Sequence, residues 1–410
     1  MVSCLMVLAL VTTLSLGCGE GGGTAKKTIV IGNLTDLTGV AAPALTPMSW
    51  GLEDMVNEIN AGLNPGPKLP EGVQLEVATW STGLDPSRFI PGYEWLKQKG
   101  SKVMISVLND CSETLKPLAA ADKIAVLGMA TSMPMVEPPG WVFAYSCPTR
   151  WAIKLMLKWV ADHWDYAGKG RKPTIATVGW SDAWGTDNDL GAREYCAANP
   201  DKFTYVGAYM APVGNLSWSG EVAKTLTTDY LNIAANGALM PATFIKEYKA
   251  KGGTAINIDT ESQSAYVGFI VDSCGWAALD GKLNVQTWGA WSLADRMAEV
   301  KYTKDVLYKY HPKEAADVMH AGMGYLGGAS MQLFALQMVV AAINRVGADN
   351  FTGQAFYDTA INYTADWAGS SRGFTATKRH VVNDMLVLKW DAAKQDLMLV
   401  SDGWLDVPHQ

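Results

Sequence analysis

Residues 103–132 read VMISVLNDCSETLKPLAAADKIAVLGMATS. Residues 103–107 and 124–127 are short apolar runs, and residues 112–122 between them suit a helix. Apolar runs of four or five residues closed by polar loops mark strands buried on both faces. Strand, helix and strand in that order join parallel neighbours of one sheet. The same alternation continues upstream. Residues 28–32 form a strand, residues 33–48 a loop rich in Thr, Pro and small residues, and residues 50–60 a helix. In that helix Leu52, Met55, Val56 and Ile59 recur at helical spacing. Residues 73–79 alternate as a strand, and Asp85 caps a helix over 86–99 with Pro86 in its first turn.

Downstream, the pattern starts again after Pro148. Helices are expected over 151–164, 185–197, 219–228, 240–251 and 264–274. Strands are expected over 174–179, 203–209, 230–234 and 255–258. Two successive parallel sheets follow from this. The last third changes style, with helices over 293–310, 322–346 and 351–363 and an antiparallel pair over 382–390 and 397–400. A length of 410 residues fits that division, because a single core stops growing at roughly 250–300 residues. The reading is an α/β chain of two lobes.

The N-terminus reads MVSCLMVLALVTTLSLGCGEGGGTAKK. Residues 5–16 are an apolar run of signal-peptide length. A small-residue site meets Cys18, and a Gly-rich polar tract follows. The expectation is a signal peptide over 1–17, lipid on Cys18 and a tether over 18–27, which places the chain outside the cytoplasm, at the membrane surface. No Lys or Arg precedes the apolar run. The stretch 331–342 is also apolar, but Gln332 and Gln337 interrupt it, so it reads as a buried helix. Cys111, Cys147, Cys196 and Cys274 remain for one or two disulfides, with the pairing open.

The net charge is −7, with acids and bases interspersed, which is no footprint for nucleic acid. Five histidines show no metal-ligand spacing. There is no nucleophile elbow and no phosphate loop. Gly322-Met-Gly-Tyr-Leu-Gly-Gly holds a dinucleotide-like string, but no strand precedes it, so it reads as helix packing. The chain reads as a binder, without a cofactor, rather than an enzyme. In parallel sheets ligands bind beyond the carboxyl ends of the strands, where helix starts offer free N–H groups. The loops from Leu108 to Ser112 and from Gly128 to Ser132 stand there, and Ser112 and Thr131 add hydroxyls.

Several local strings then align in order: Ile31-Gly32 with Leu37-Thr38-Gly39, Glu58-Ile59-Asn60-Ala61-Gly62, Asp85-Pro86, Ala130-Thr131, Asp182 with Trp184-Gly185, and Ala341-Ala342-Ile343 before Gly347. With these, residues 28–405 resemble the branched-chain amino acid type of periplasmic binding protein. The resemblance implies the type I fold, two Rossmann-like lobes joined by three crossings with a solute between them. The crossings are expected near 148–151, 285–292 and 366–375. Lobe 1 then holds 28–149 plus 291–368, and lobe 2 holds 150–290 plus 369–410.

The resemblance also implies a site. Ser112, Ala130 and Thr131 would hold the solute from the first lobe. Trp184 would face it from the second, and Glu261 would stand where an acidic residue grips an amine. Arg150 occupies a place that is often acidic, and Asn236 lies in a loop that often carries Tyr. An arginine there favours a carboxylate. Trp50, Trp80 and Trp184 near the cleft loops favour an aromatic one. The expected solute is a small organic anion, with an amino acid next. The implied role is the solute-binding, monomeric component of an ABC importer, closing by a hinge and meeting a permease. The rival role is a ligand-sensing domain of the same fold that works with a separate membrane partner.

Overall fold

The computed structural model describes residues 26–39 and 41–408. The signal-peptide and Cys18 expectations lie outside the described residues. Five strands make the first sheet: β1 (Lys27–Thr35), β2 (Val73–Ser81), β3 (Val103–Ser106), β4 (Ala125–Gly128) and β5 (Val142–Ala144). Their order is β2-β1-β3-β4-β5 and every pairing is parallel. β3 and β4 are buried throughout, as expected of strands with helices on both faces.

The second sheet starts with β6 (Thr174–Trp180), β7 (Thr204–Ala211), β8 (Tyr230–Ala234), β9 (Ile256–Thr260) and β10 (Leu283–Gln286). A hairpin, β11 (Thr364–Trp367) with β12 (Ser370–Gly373), stands apart from both sheets. β13 (Asp384–Asp391) and β14 (Asp396–Leu399) extend the second sheet in the order β14-β13-β10-β9-β8-β6-β7, and an eighth, short strand, β15 (Leu405–Asp406), pairs antiparallel with β13 off this path. β13 joins β10 and β14 antiparallel, so the sheet is mixed at that edge only. The chain passes between the sheets after β5, after β10, and over 374–383 between β12 and β13. The third passage begins where the hairpin ends, and the turn of that hairpin falls at residues 368–369. The third passage lies along β5, with Ala144 N–H donating to Arg379 O and Val381 N–H donating to Ala144 O.

Four elements differ from the sequence reading. The first helix spans Ala42–Asn60, so the second part of the expected loop, residues 42–48, is helical. Pro43 is tolerated in the first turn, where its missing N–H has no intrahelical partner to lose. Pro47 sits inside, and tertiary packing overrides its cost. Leu45 and Leu52 are buried, and Gly51 and Gly328 let this helix lie close against Gly324–Val346. A Cβ on Gly51 would stand 2.9 Å from the Ala329 Cβ. β5 and β10, of three and four residues, carry too little pattern to be read from sequence. The helix after β3 starts at Asn109 rather than Ser112.

Gly324–Val346 is long and apolar enough to cross a membrane, yet 83% of its most apolar stretch is buried inside the protein. Cys111, Cys147, Cys196 and Cys274 are free thiols. Burial pushes the Cys111 and Cys196 thiols up to about 12, so neither is a nucleophile at neutral pH.

Candidate functional site

A crevice opens between the carboxyl ends of the two sheets. It holds about 880 Å³ of empty space, mouth included. Val107, Leu108, Met129 and Ala130 bring the loops after β3 and β4 to one wall. Trp184, Asn236 and Glu261 bring the loops after β6, β8 and β9 to the other. Leu45, Met48, Met323 and Met331 close the back from the two long helices and the turn before the second. The lobes also touch directly: Met133 N–H, in the first, donates to Asp187 Oδ2, in the second, at 3.0 Å.

Four of the expected residues meet in this crevice: Ala130, Trp184, Asn236 and Glu261. Asp182 caps the helix Ala183–Ala198 by accepting from Gly185 N–H at 2.6 Å. That cap fixes the first helical turn, and Trp184 projects from it with 4% exposure. Burial pushes the Asp182 carboxyl up to about 6.

The other five lie behind or away from the crevice. Ser112 is in the second turn of its helix, fully buried, and its Oγ donates to Leu108 O at 3.1 Å. The earlier start of the helix moves the serine back and leaves Leu108 at the rim. Thr131 stands behind Ser146, with their hydroxyls 2.8 Å apart, and Ser146 lines the crevice. Arg150 turns to the second lobe, where it pairs with Asp187 at 2.7 Å and Glu194 at 3.6 Å. A buried carboxylate claims its guanidinium. Trp50 stacks on His311 at 4.5 Å, on a different face of its helix. Trp80 packs against Trp95 at 5.7 Å.

Glu261 is the most unusual group in the crevice. Its backbone has φ +44° and ψ −53°, a conformation costly for any residue with a Cβ. Neighbours hold it there. Its N–H donates to Val285 O at 3.1 Å, and its carbonyl accepts from Ser264 N–H at 3.1 Å and Gln286 Nε2 at 3.2 Å. Its Oε1 is closed off from water and has no partner. Burial pushes the carboxyl up to about 8, against the Thr287 N–H and Arg372, which both pull it down. Among the described residues no Lys, Arg or His lines the crevice.

Sequence reasoning missed Tyr266, Gln286, Trp288, Met323 and Met331, which also line it. Gln286 ends β10, a strand too short to read, and Trp288 sits on the second passage just after it. Met323 and Met331 come from the start of a helix that pattern alone assigns to the core.

The family pattern described as periplasmic binding protein matches residues 28–395. The chain belongs to the periplasmic binding protein family. Membership implies a place outside the cytoplasm and a binding role rather than a chemical one. No curated protein matches the sequence. Among solved structures, a branched chain amino acid ABC transporter from Thermus thermophilus with bound valine is similar. It has a TM-score of 0.78 and 15% identity, over 93% of this chain and 97% of that one. A fatty acid ABC transporter substrate-binding protein from Thermomonospora curvata has a TM-score of 0.75 and 16% identity, over 95% of each chain. A solute binding protein of an ABC transporter from Rhodopseudomonas palustris BisB5, in complex with 3,4-dihydroxy benzoic acid, has a TM-score of 0.73. It shares 15% identity over 93% of this chain and 98% of that one. At such identities the likeness shows the shared two-lobed fold. The periplasmic binding protein fold is thus the frame in which this crevice sits.

Proposed function

We propose that the protein is the solute-binding component of an ABC importer and that it captures an apolar or aromatic amino acid. Glu261 carries this reading. A carboxyl whose Oε1 has no partner, held in a costly conformation in a crevice with no Lys, Arg or His among its described lining residues, suits an ammonium group. An ammonium would restore the ionised carboxylate and supply the hydrogen bonds that Oε1 lacks. The apolar part of the solute would lie against Trp184, Trp288 and the methionines, which adapt to irregular shapes. Its carboxylate would face Ala130, the Ser146 hydroxyl and the start of helix Asn109–Asp122 beside Leu108. Ser112, Thr131 and Arg150 then serve as supports behind the contact surface, and Trp50 serves the packing of its own helix.

The sequence expectation of a plain organic anion rested on Arg150, and Arg150 is engaged by Asp187 and Glu194. The valine complex among the similar structures is in keeping with an amino acid; the benzoic acid complex and the fatty acid protein mark the competing class. The proposal extends to a monomer tethered by lipid on Cys18, delivering its solute to a permease after hinge closure.

A thermal-shift and calorimetry panel tests it. Apolar and aromatic amino acids should raise Tm and bind, while the matching acids without an amine should not. Stabilisation by benzoates or fatty acids alone would reject the amino acid reading.

A further inference from the structure

One buried side chain touches the second and third passages between the lobes at once. Arg372, in β12, has 0% exposure. Its Nη2 donates to the Thr287 carbonyl at 2.9 Å, directly after β10. Its Nη1 donates to Asp384 Oδ1 at 2.7 Å, at the first residue of β13. The guanidinium lies 5.6 Å from the ring centre of Trp288 and 4.7 Å from that of Trp404. Trp288 in turn reaches the first passage, its Nε1 donating to Tyr145 O at 3.2 Å. Trp367 of the hairpin packs edge-on against Trp288 at 4.9 Å.

Two of these connections end in the crevice. The Trp288 ring is part of its wall. Thr287 gives its carbonyl to the Arg372 bond, and its neighbour Gln286, also in the crevice wall, donates through Nε2 to the Glu261 carbonyl at 3.2 Å. Arg372 therefore sits one residue away from two groups that meet a solute, without lining the crevice itself. Burying a guanidinium is expensive, and well-packed apolar residues often stabilise a core as well or better. An arginine here gains what no apolar residue can: a planar fork that fixes two chain segments at a set distance.

We infer that Arg372 is a positioning residue of the hinge, tying the second and third passages together and, through Trp288 and Thr287, setting the solute-facing positions of Trp288 and Glu261. The inference rests on the crevice being a solute site, but not on the class of solute.

The test needs no solute, so a failed ligand panel leaves its outcome intact. The full chain is labelled with 5-fluorotryptophan, and the Trp288 resonance is assigned with Trp288→Phe. Trp218, whose Nε1 donates to Thr243 at 2.9 Å within the second lobe, serves as the internal control. Arg372→Gln, Arg372→Lys and Asp384→Asn should each shift or broaden the Trp288 line and leave the Trp218 line in place. Arg372→Lys should not restore it, because an ammonium keeps the charge but loses the fork. Amide exchange at Thr287 to Gly289 should speed up roughly tenfold or more in the Arg372 variants. If Trp288 stays unmoved in the folded variants, or if Trp288 and Trp218 move alike, Arg372 is ordinary core and the inference fails. Should both Arg372 variants fail to fold, Asp384→Asn decides alone: an unmoved Trp288 line overturns the inference.

Discussion

Replacing Glu261 with glutamine removes the one carboxyl in the crevice wall among the described residues and leaves its shape. The native carboxyl stands at about 8, against 4.5 for an ordinary glutamate. A raised folded-state pKa means that the native protein keeps its proton where the unfolded chain has lost it. Between those two values the native state binds more protons, so stability falls as pH rises. The slope is at most about 1.4 kcal/mol per pH unit, which caps the whole effect at roughly 5 kcal/mol. Water entering a mobile cleft screens part of this, and we expect about 2 kcal/mol between about pH 5 and about pH 8. The assay is urea unfolding of the solute-free protein at both ends of that window. The unchanged protein should lose about 2 kcal/mol more than Glu261→Gln on going to the alkaline end. Parallel pH profiles would refute the argument, because they would mean that the carboxyl is well solvated. The same proton gives a second readout. An ammonium solute must displace it, so binding near neutral pH should release up to one proton, and affinity should rise with pH towards about 8.

Trp184→Ala should weaken solute binding by on the order of 30-fold, measured by calorimetry, because a buried aromatic wall is lost. Arg150→Ala should leave solute affinity within about twofold, because Arg150 does not line the crevice. It should lower stability in urea by about 2–3 kcal/mol, because buried Asp187 then loses its guanidinium partner. Gly51→Val should cost about 1–3 kcal/mol in thermal unfolding, because the new side chain meets Ala329. Lys282 and Asp259 form a pair with 1% exposure each. Lys282→Met alone should cost about 3–5 kcal/mol in urea, and adding Asp259→Leu should recover most of it.

The alternation of strands and helices was plain in the sequence because buried parallel strands are apolar throughout. Residues 230–234 were readable to the residue, and β3 and β4 nearly so. The hinge was harder to read. β5 and β10 are too short to show a period, and the hairpin β11–β12 has little apolar content. The start of the first helix was hidden by two prolines whose cost is met by packing against a distant helix. In the site, Glu261 and Trp184 came from the family resemblance rather than from a local pattern, and both line the crevice. Ser112 was expected on the crevice as a hydroxyl at the helix start, but its helix begins three residues sooner, at Asn109. Trp288 and Met331 had no local signal, since only the fold brings them to the crevice.

The long helix Gly324–Val346 has a consequence for how the protein reaches its working place. A segment built for the centre of a lobe is greasy on every side, and a lipid bilayer selects for the same property. A chain sent outward must pass this stretch through the export channel without leaving it lodged there. Ser330, Gln332 and Gln337 lower its affinity for lipid during transit. In the folded protein the helix is sheltered by Ala42–Asn60, which packs along it through Gly51 and Gly328.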